Sequence, residues 1–230
     1  MARASLASHR FSWGPWGSAL LAGLIALPPL VAAAKVCGIG PFSVTALSGK
    51  ATGKHHDARA KTQRDGSRIV GPDAAYALHS VMVEETKAGP CRMLLAFMPL
   101  PGSTKLAEFG QAVMQLGGCG TGTHRSVGVE GSDVVVAARA CIDKGPSPKL
   151  RGLQLFPGTL GKDGHTITRG AYTGEALDHS KFAAPQCPAD GWQSEVACPE
   201  NQVAIGLRAS HDGKGYAGIA LECAPVGTCE

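Results

Sequence analysis

The chain predicts a mainly β fold: repeated antiparallel hairpin units in a β-prism-like or barrel-like arrangement, disulfide-stapled and carrying one short helix. Three observations predict it. All eight cysteines, from Cys37 to Cys229, lie beyond an N-terminal stretch that reads as a secretion signal. An even cysteine count in an exported chain is read as bridged pairs, because no cytosolic reductant keeps the thiols apart. Glycine is abundant at 31 residues while aromatics make up 5%, a composition of short strands joined by tight turns. Alternating apolar residues also flank turn-like segments more than once along the chain.

The first element is the signal itself. Arg3 and Arg10 precede an apolar run from Trp16 to Leu27, and Ala32, Ala33 and Ala34 stand just before Lys35. This is the three-part layout of a cleavable signal peptide. Pro28 and Pro29 end the run short of the roughly 20 apolar residues that a membrane anchor needs. The organisation that follows is residues 1–34 as signal peptide, 35–75 as an N-terminal extension with a basic flexible loop, and 76–230 as a disulfide-stabilised β domain. The expected location is secreted or periplasmic, with no stable membrane span after cleavage.

Without residues 1–34 the chain keeps 20 Lys and Arg against 18 Asp and Glu. A balance so close to neutral argues against a nucleic-acid partner. Asn201 is the single asparagine, and Gln202-Val203 after it makes no glycosylation sequon. From Lys50 to Arg68 there are six basic residues, two aspartates and no large apolar side chain. Such a segment cannot bury a face, so it reads as an exposed loop or a basic patch for an acidic surface. His55, His56 and Asp57 lie within it, but neighbours on an extended segment point to opposite sides. No metal site is expected there.

The C-terminal end carries the clearest pattern. Val203, Ile205 and Leu207 alternate with Ala204, Gly206 and Arg208; after Ser210 to Gly215, Ile219, Leu221 and Cys223 alternate again. Period two on both sides of a glycine-rich turn is a hairpin with one buried face. A turn centred near Asp212 sets Cys198 and Cys223 near opposite ends of the arms, where a bridge would clip the hairpin. Cys37, Cys91, Cys119, Cys141, Cys187 and Cys229 stay unassigned, since eight cysteines allow about a hundred pairings.

A second copy runs from Val134 through Asp143 to Pro157. It sets Arg139 against Arg208, Ala140 against Ala209, Asp143 against Asp212, Gly152 against Gly218, Leu153 against Ile219, and Leu155 against Leu221. A fainter third copy spans Ala77 to Phe97. Repeats that cannot bury their own faces share one core. One segment departs from the pattern: Leu106, Phe109, Val113 and Leu116 recur at helical spacing before Gly117-Gly118, which predicts a short amphipathic helix.

Cys198-Pro199-Glu200 through Leu207-Arg208, closing with Gly218-Ile219-Ala220-Leu221-Glu222-Cys223, resembles a recurring unit of the vitelline membrane outer layer protein family. The resemblance covers about the last 35 residues well and 134–157 loosely, with Phe156 where a closing cysteine would stand. It implies a three-sided β-prism of exported type whose relatives are mostly carbohydrate-associated or coat proteins.

No complete catalytic signature accompanies this. Arg68-Ile69-Val70-Gly71 with His79 looks like a serine-protease activation site, but no Gly-Asp-Ser-Gly-Gly nucleophile turn follows. The run Gly117 to Arg125 lacks the Gly-Lys-Ser/Thr ending of a P-loop, and no Gly-x-Ser-x-Gly or His-Glu-x-x-His occurs. Glu84, Glu85, Glu108, Glu130, Asp143 and Asp212 are candidates for an acid pair of the kind that hydrolyses glycans, and the sequence does not choose among them. For binding, Trp192 and Tyr216 are the rings that could stack on a sugar, and His211 and Asp212 at the hairpin tip could hydrogen-bond one. Each has a plain structural role as well, as a barrel plug or a turn residue. The expected function is a non-catalytic module without cofactor that binds glycan or another surface component. The alternatives are a small secreted hydrolase with a carboxylate pair and a structural or inhibitory envelope protein.

Overall fold

The structure is a computed structural model and describes residues 36–39, 42–59, 76–86, 89–100, 110–116, 119, 123–171, 187 and 189–228. Residues 1–34, where a signal peptide is expected, lie outside them. Among the described residues, fourteen strands run in the order β1 Val36–Ile39, β2 Ser43–Val44, β3 Ser48–Gly49, β4 Lys54–Arg59, β5 Tyr76–Thr86, β6 Gly89–Pro99, β7 Gly110–Gln115, β8 Thr123–Gly128, β9 Val134–Ile142, β10 Leu150–Leu160, β11 Ile167–Arg169, β12 Val196–Ala197, β13 Gln202–His211 and β14 Tyr216–Thr228. A 3-10 turn, Ala189–Gly191, precedes β12.

The strands form three antiparallel sheets, each built on one of the three hairpins. In the first, β13 and β14 are flanked by β4 and β1, with β2 and β3 also on β14; in the second, β9 and β10 lie between β12 and β11; in the third, β5 and β6 lie between β8 and β7. The registers agree across copies. Ala140 sits opposite Leu153 and Ala138 opposite Leu155, just as Ala209 sits opposite Ile219 and Leu207 opposite Leu221.

One core explains why the hairpins hold together. Val81, Val83, Met93, Leu95 and Phe97 from the third sheet pack with Ala138, Ala140, Leu153 and Leu155 from the second and Leu207, Ala209, Ile219 and Leu221 from the first. A two-stranded hairpin alone is marginal in water. Burying a Leu, Ile or Phe fully contributes roughly 1.5–3 kcal/mol, so the shared interior is what makes each hairpin stable.

Disulfides join Cys91 to Cys119, Cys141 to Cys187, and Cys198 to Cys223. The last crosses from the start of one hairpin arm toward the end of the other. Cys37 lies in β1, and Cys229 lies outside the described residues.

Two expectations are corrected. The helix expected from Leu106 to Leu116 is, over its described part, strand β7. Met114 is buried, Ala112 and Leu116 pack on the core, and Val113 is 48% exposed. Alternation on the sheet edge has overridden the helical spacing, and Leu106 and Phe109 lie outside the described residues. No α-helix occurs among the described residues. The basic segment from Lys50 is likewise not all loop, because Lys54–Arg59 is β4 and pairs with β13 over six positions from Gly206–Arg59 to His211–Lys54. Ala58 and His56 turn inward while Asp57 binds Arg208 at 2.6 Å, a charged edge of the kind that guards sheets against further pairing. Arg208 holds its proton more firmly for that carboxylate beside it.

Candidate functional site: a polar groove at one end of two sheets

Three of the four expected site residues, His211, Asp212 and Tyr216, meet at the tip of the β13–β14 hairpin, and Trp192 lies apart from them. Tyr216 is fully buried in the core. Its hydroxyl has no hydrogen-bond partner, and burial pushes the phenol pKa upward. An irregular register between Ser210 and His211 brings Tyr216 opposite His211, and the ring faces inward. As a sugar-stacking platform Tyr216 is ruled out by this burial. Trp192 belongs to another sheet. It bridges to Cys141, its neighbour Gln193 donates N–H to Ala140 O at 2.8 Å, and the Arg139 guanidinium lies 5.0 Å from the indole centre. The ring covers Gly152, where a Cβ would come within 3.0 Å of it. A half-buried indole held between an arginine and a glycine is a cover for the sheet.

His211 and Asp212 stand together at the hairpin tip with structural tasks. Asp212 Oδ1 accepts N–H groups from Lys214 at 2.7 Å and Gly215 at 2.9 Å, and Oδ2 accepts Ser147 Oγ at 2.7 Å. The Ser147 hydroxyl and these amides hold the Asp212 carboxyl at about 2. His211 is buried, its Nδ1 accepts the Gly213 N–H at 3.2 Å, and burial followed by the neighbouring His56 lowers its pKa.

The carboxylates considered for hydrolysis are likewise engaged or apart. Glu84 is buried and pairs with Arg92 at 3.4 Å. Asp143 pairs with Arg151 at 2.8 Å, Glu130 is exposed beside a turn, and Glu108 lies outside the described residues. None of those among the described residues lines the cavity that Cys198–Gln202 borders.

A different region forms a cavity. At the strand ends far from the Asp212 turn lies a half-open cavity of about 170 Å³, lined by Val136, Ile167, Arg169, Ala197, Cys198, Pro199, Glu200, Asn201 and Gln202. The sequence builds it from three distant pieces. Val136 supplies apolar floor from β9, and Ile167 does so from β11. These two meet over Gly158, where a Cβ would lie 2.4 Å from Val136 and 2.9 Å from Ile167; only glycine lets the floor close.

The wall is the turn from Cys198 to Gln202. Asn201 adopts φ of 57°, the one non-glycine with positive φ among the described residues, a conformation that asparagine tolerates better than most residues. Gln202 N–H donates to Pro199 O at 3.1 Å and Cys198 N–H to Val136 O at 2.8 Å. Asn201 Oδ1 accepts Ile167 N–H at 3.1 Å, which ties the turn to β11. The Cys198–Cys223 bridge anchors its start. Arg169 closes the far side, bound to Glu195 at 2.5 Å and lying 5.1 Å from the Phe156 ring centre.

The result is a polar rim over an apolar floor. Side-chain amides of Asn201 and Gln202, the Glu200 carboxylate and the Arg169 guanidinium offer both donors and acceptors. Such convergence of a few fixed polar groups around apolar surface is the ordinary make-up of a small-molecule site. A volume below the roughly 300 Å³ of drug-sized pockets suits one small ring. Sequence reading missed these residues. The turn chemistry of Pro199-Glu200-Asn201 is a local signal, but nothing local announces that β11 will reach it.

No family model matches the chain, and no curated protein matches it in sequence. Several solved structures are similar to it. A mannose-binding lectin from Champedak is 13% identical, with 80% of this chain and 98% of that one covered at a TM-score of 0.44. Single-chain recombinant jacalin is 12% identical over 81% and 97%, at a TM-score of 0.45. The agglutinin of Calystegia sepium is 11% identical over 83% and 99%, also at 0.45. At this identity and overlap the likenesses carry no argument about activity, and none of the three is a vitelline membrane outer layer protein.

Proposed function

We propose that the chain is an exported, non-catalytic module that binds glycan, or another hydroxyl-rich component of a surface, in the groove between β11 and the Cys198–Gln202 turn. The observation that supports this reading is the groove's composition: planar amides, a carboxylate and a guanidinium fixed around a small apolar floor. A pyranose ring presents hydroxyls on its rim and C–H groups on its faces, which such a surface meets with hydrogen bonds at the edge and apolar contact beneath. Three disulfides fit an oxidising compartment, in keeping with residues 1–34 as a cleaved signal.

Among the described residues the lining of this groove holds one carboxylate, Glu200, and not the pair that a hydrolase reading calls for. A glycan array with the purified chain tests the proposal, together with an Asn201→Ala variant. Binding of one glycan class, weakened about tenfold in the variant as expected for losing one well-placed hydrogen bond, supports it. An array without ligand, alongside turnover of a polymer by the same sample, overturns it.

A further inference from the structure

The tip of the β13–β14 hairpin holds a group of side chains that the glycan reading does not use. His56 on β4 and His211 on β13 lie two register positions apart on paired strands, and so on one face, with His56 opposite Ala209 and Lys54 opposite His211. Their ring centres are 4.2 Å apart at an interplanar angle of 48°. Tyr216 closes a third side, edge-on to both imidazoles at 6.4 and 6.5 Å. His211 is buried, and its Nδ1 accepts the Gly213 N–H inside the turn. Its backbone carbonyl accepts the Thr52 hydroxyl at 2.5 Å, which ties the chain entering β4 to the same point.

We propose that His56 and His211 form an acid-sensitive latch, which keeps β4 and the Asp212–Gly215 turn seated on β13 while both rings are neutral and loosens them when the pair takes up protons. Two physical facts carry it. A neutral imidazole can accept the Gly213 N–H at Nδ1, whereas a protonated ring has only donors. Two imidazolium rings at this separation repel.

The charged surroundings set the direction. Lys54, His55 and His56 on β4 oppose a positive charge on His211, and Lys214 adds a fourth basic group in the turn. Asp212 alone favours the charge, and Tyr216 stays neutral across the range. Burial, then His56 and Lys54, lower the His211 pKa below the ordinary 6.5. A histidine whose folded pKa is lowered takes up more protons when unfolded. Its contribution is therefore full above about pH 6.5 and declines as pH falls below that value.

Urea unfolding of the purified chain between pH 7.5 and 5.0 tests the latch, with NMR following the Gly213 amide. The wild type should lose severalfold in its folding constant over this range, and the Gly213 amide signal should move in the same window. His56→Gln, which leaves the turn bond in place, should cut the loss by half or more. His55→Gln, an exposed neighbour with the weakest of these effects on His211, should change it far less. His211→Gln should flatten the response if it folds; the His56 variant decides the matter if it does not. A folding constant and a Gly213 signal that do not change from pH 7.5 to 5.0 overturn the proposal. So does a loss of equal size in wild type and His56→Gln.

Discussion

Asp143 and Asp212 perform the same task at the tips of two hairpins in different sheets. Asp143 Oδ1 accepts the Lys149 N–H at 2.7 Å, and Asp212 Oδ1 accepts Lys214 N–H at the same distance. The turns they cap differ in length, yet the paired residues behind them coincide. Ser147 from the first turn donates to Asp212 in the second at 2.7 Å, so the two copies are joined where their chains reverse.

Replacing either aspartate by alanine should lower stability in urea unfolding by about 1 kcal/mol for the hydrogen bonds lost. The Asp143 variant should lose more, since Arg151 is left with little exposure and no carboxylate. Acid separates the two effects. The Asp212 carboxyl is held at about 2, so its contribution is present above the unfolded value near 4 and fades as pH falls toward 2. Asp212→Asn should flatten the unfolding curve in that window.

Gly158 governs the floor of the groove. An alanine there would press Val136 and Ile167 apart, at an overpacking cost of about 1–3 kcal/mol. Thermal unfolding should register the loss, and glycan affinity should fall with it because β11 carries Arg169 and the amide that binds Asn201.

Tyr216→Phe should leave the protein as stable or make it more stable by about 1 kcal/mol, because it removes a buried hydroxyl that has no partner. Glycan affinity should not change. A clear fall in either quantity would show that the hydroxyl has a role.

Peptide mapping of native material should recover Cys91–Cys119, Cys141–Cys187 and Cys198–Cys223 and join the remaining two, Cys37 and Cys229. β1 runs beside the end of β14, with Val36 opposite Thr228. Replacing Cys198 and Cys223 together by alanine should cost about 2–4 kcal/mol.

How far the sequence could be read depended on how local each signal was. The hairpins around Asp143 and Asp212 were legible because alternation and a turn lie within a short window, and the shared core followed from their repetition. The stretch up to Leu116 misled because its inner strand face is Ala112, Met114 and Leu116, which share only Leu116 with the helical stripe, while Val113 is exposed on an edge strand beside β6. β4 was hidden for the opposite reason: its burial rests on Ala58 and His56, which no hydropathy pattern marks. Tyr216 was misjudged because an irregular register at the hairpin tip, invisible in composition, turns it inward. The groove was out of reach altogether, since Val136, Arg169 and Asn201 meet only through tertiary pairing.

The most direct measurement is an NMR titration of the isotope-labelled chain with a glycan taken from the array. Saturable shifts confined to the amides of 197–202 and 167–169, absent in Asn201→Ala, are the predicted result. A glycan that binds but perturbs another face of the molecule, or no glycan that binds at all, would contradict the account.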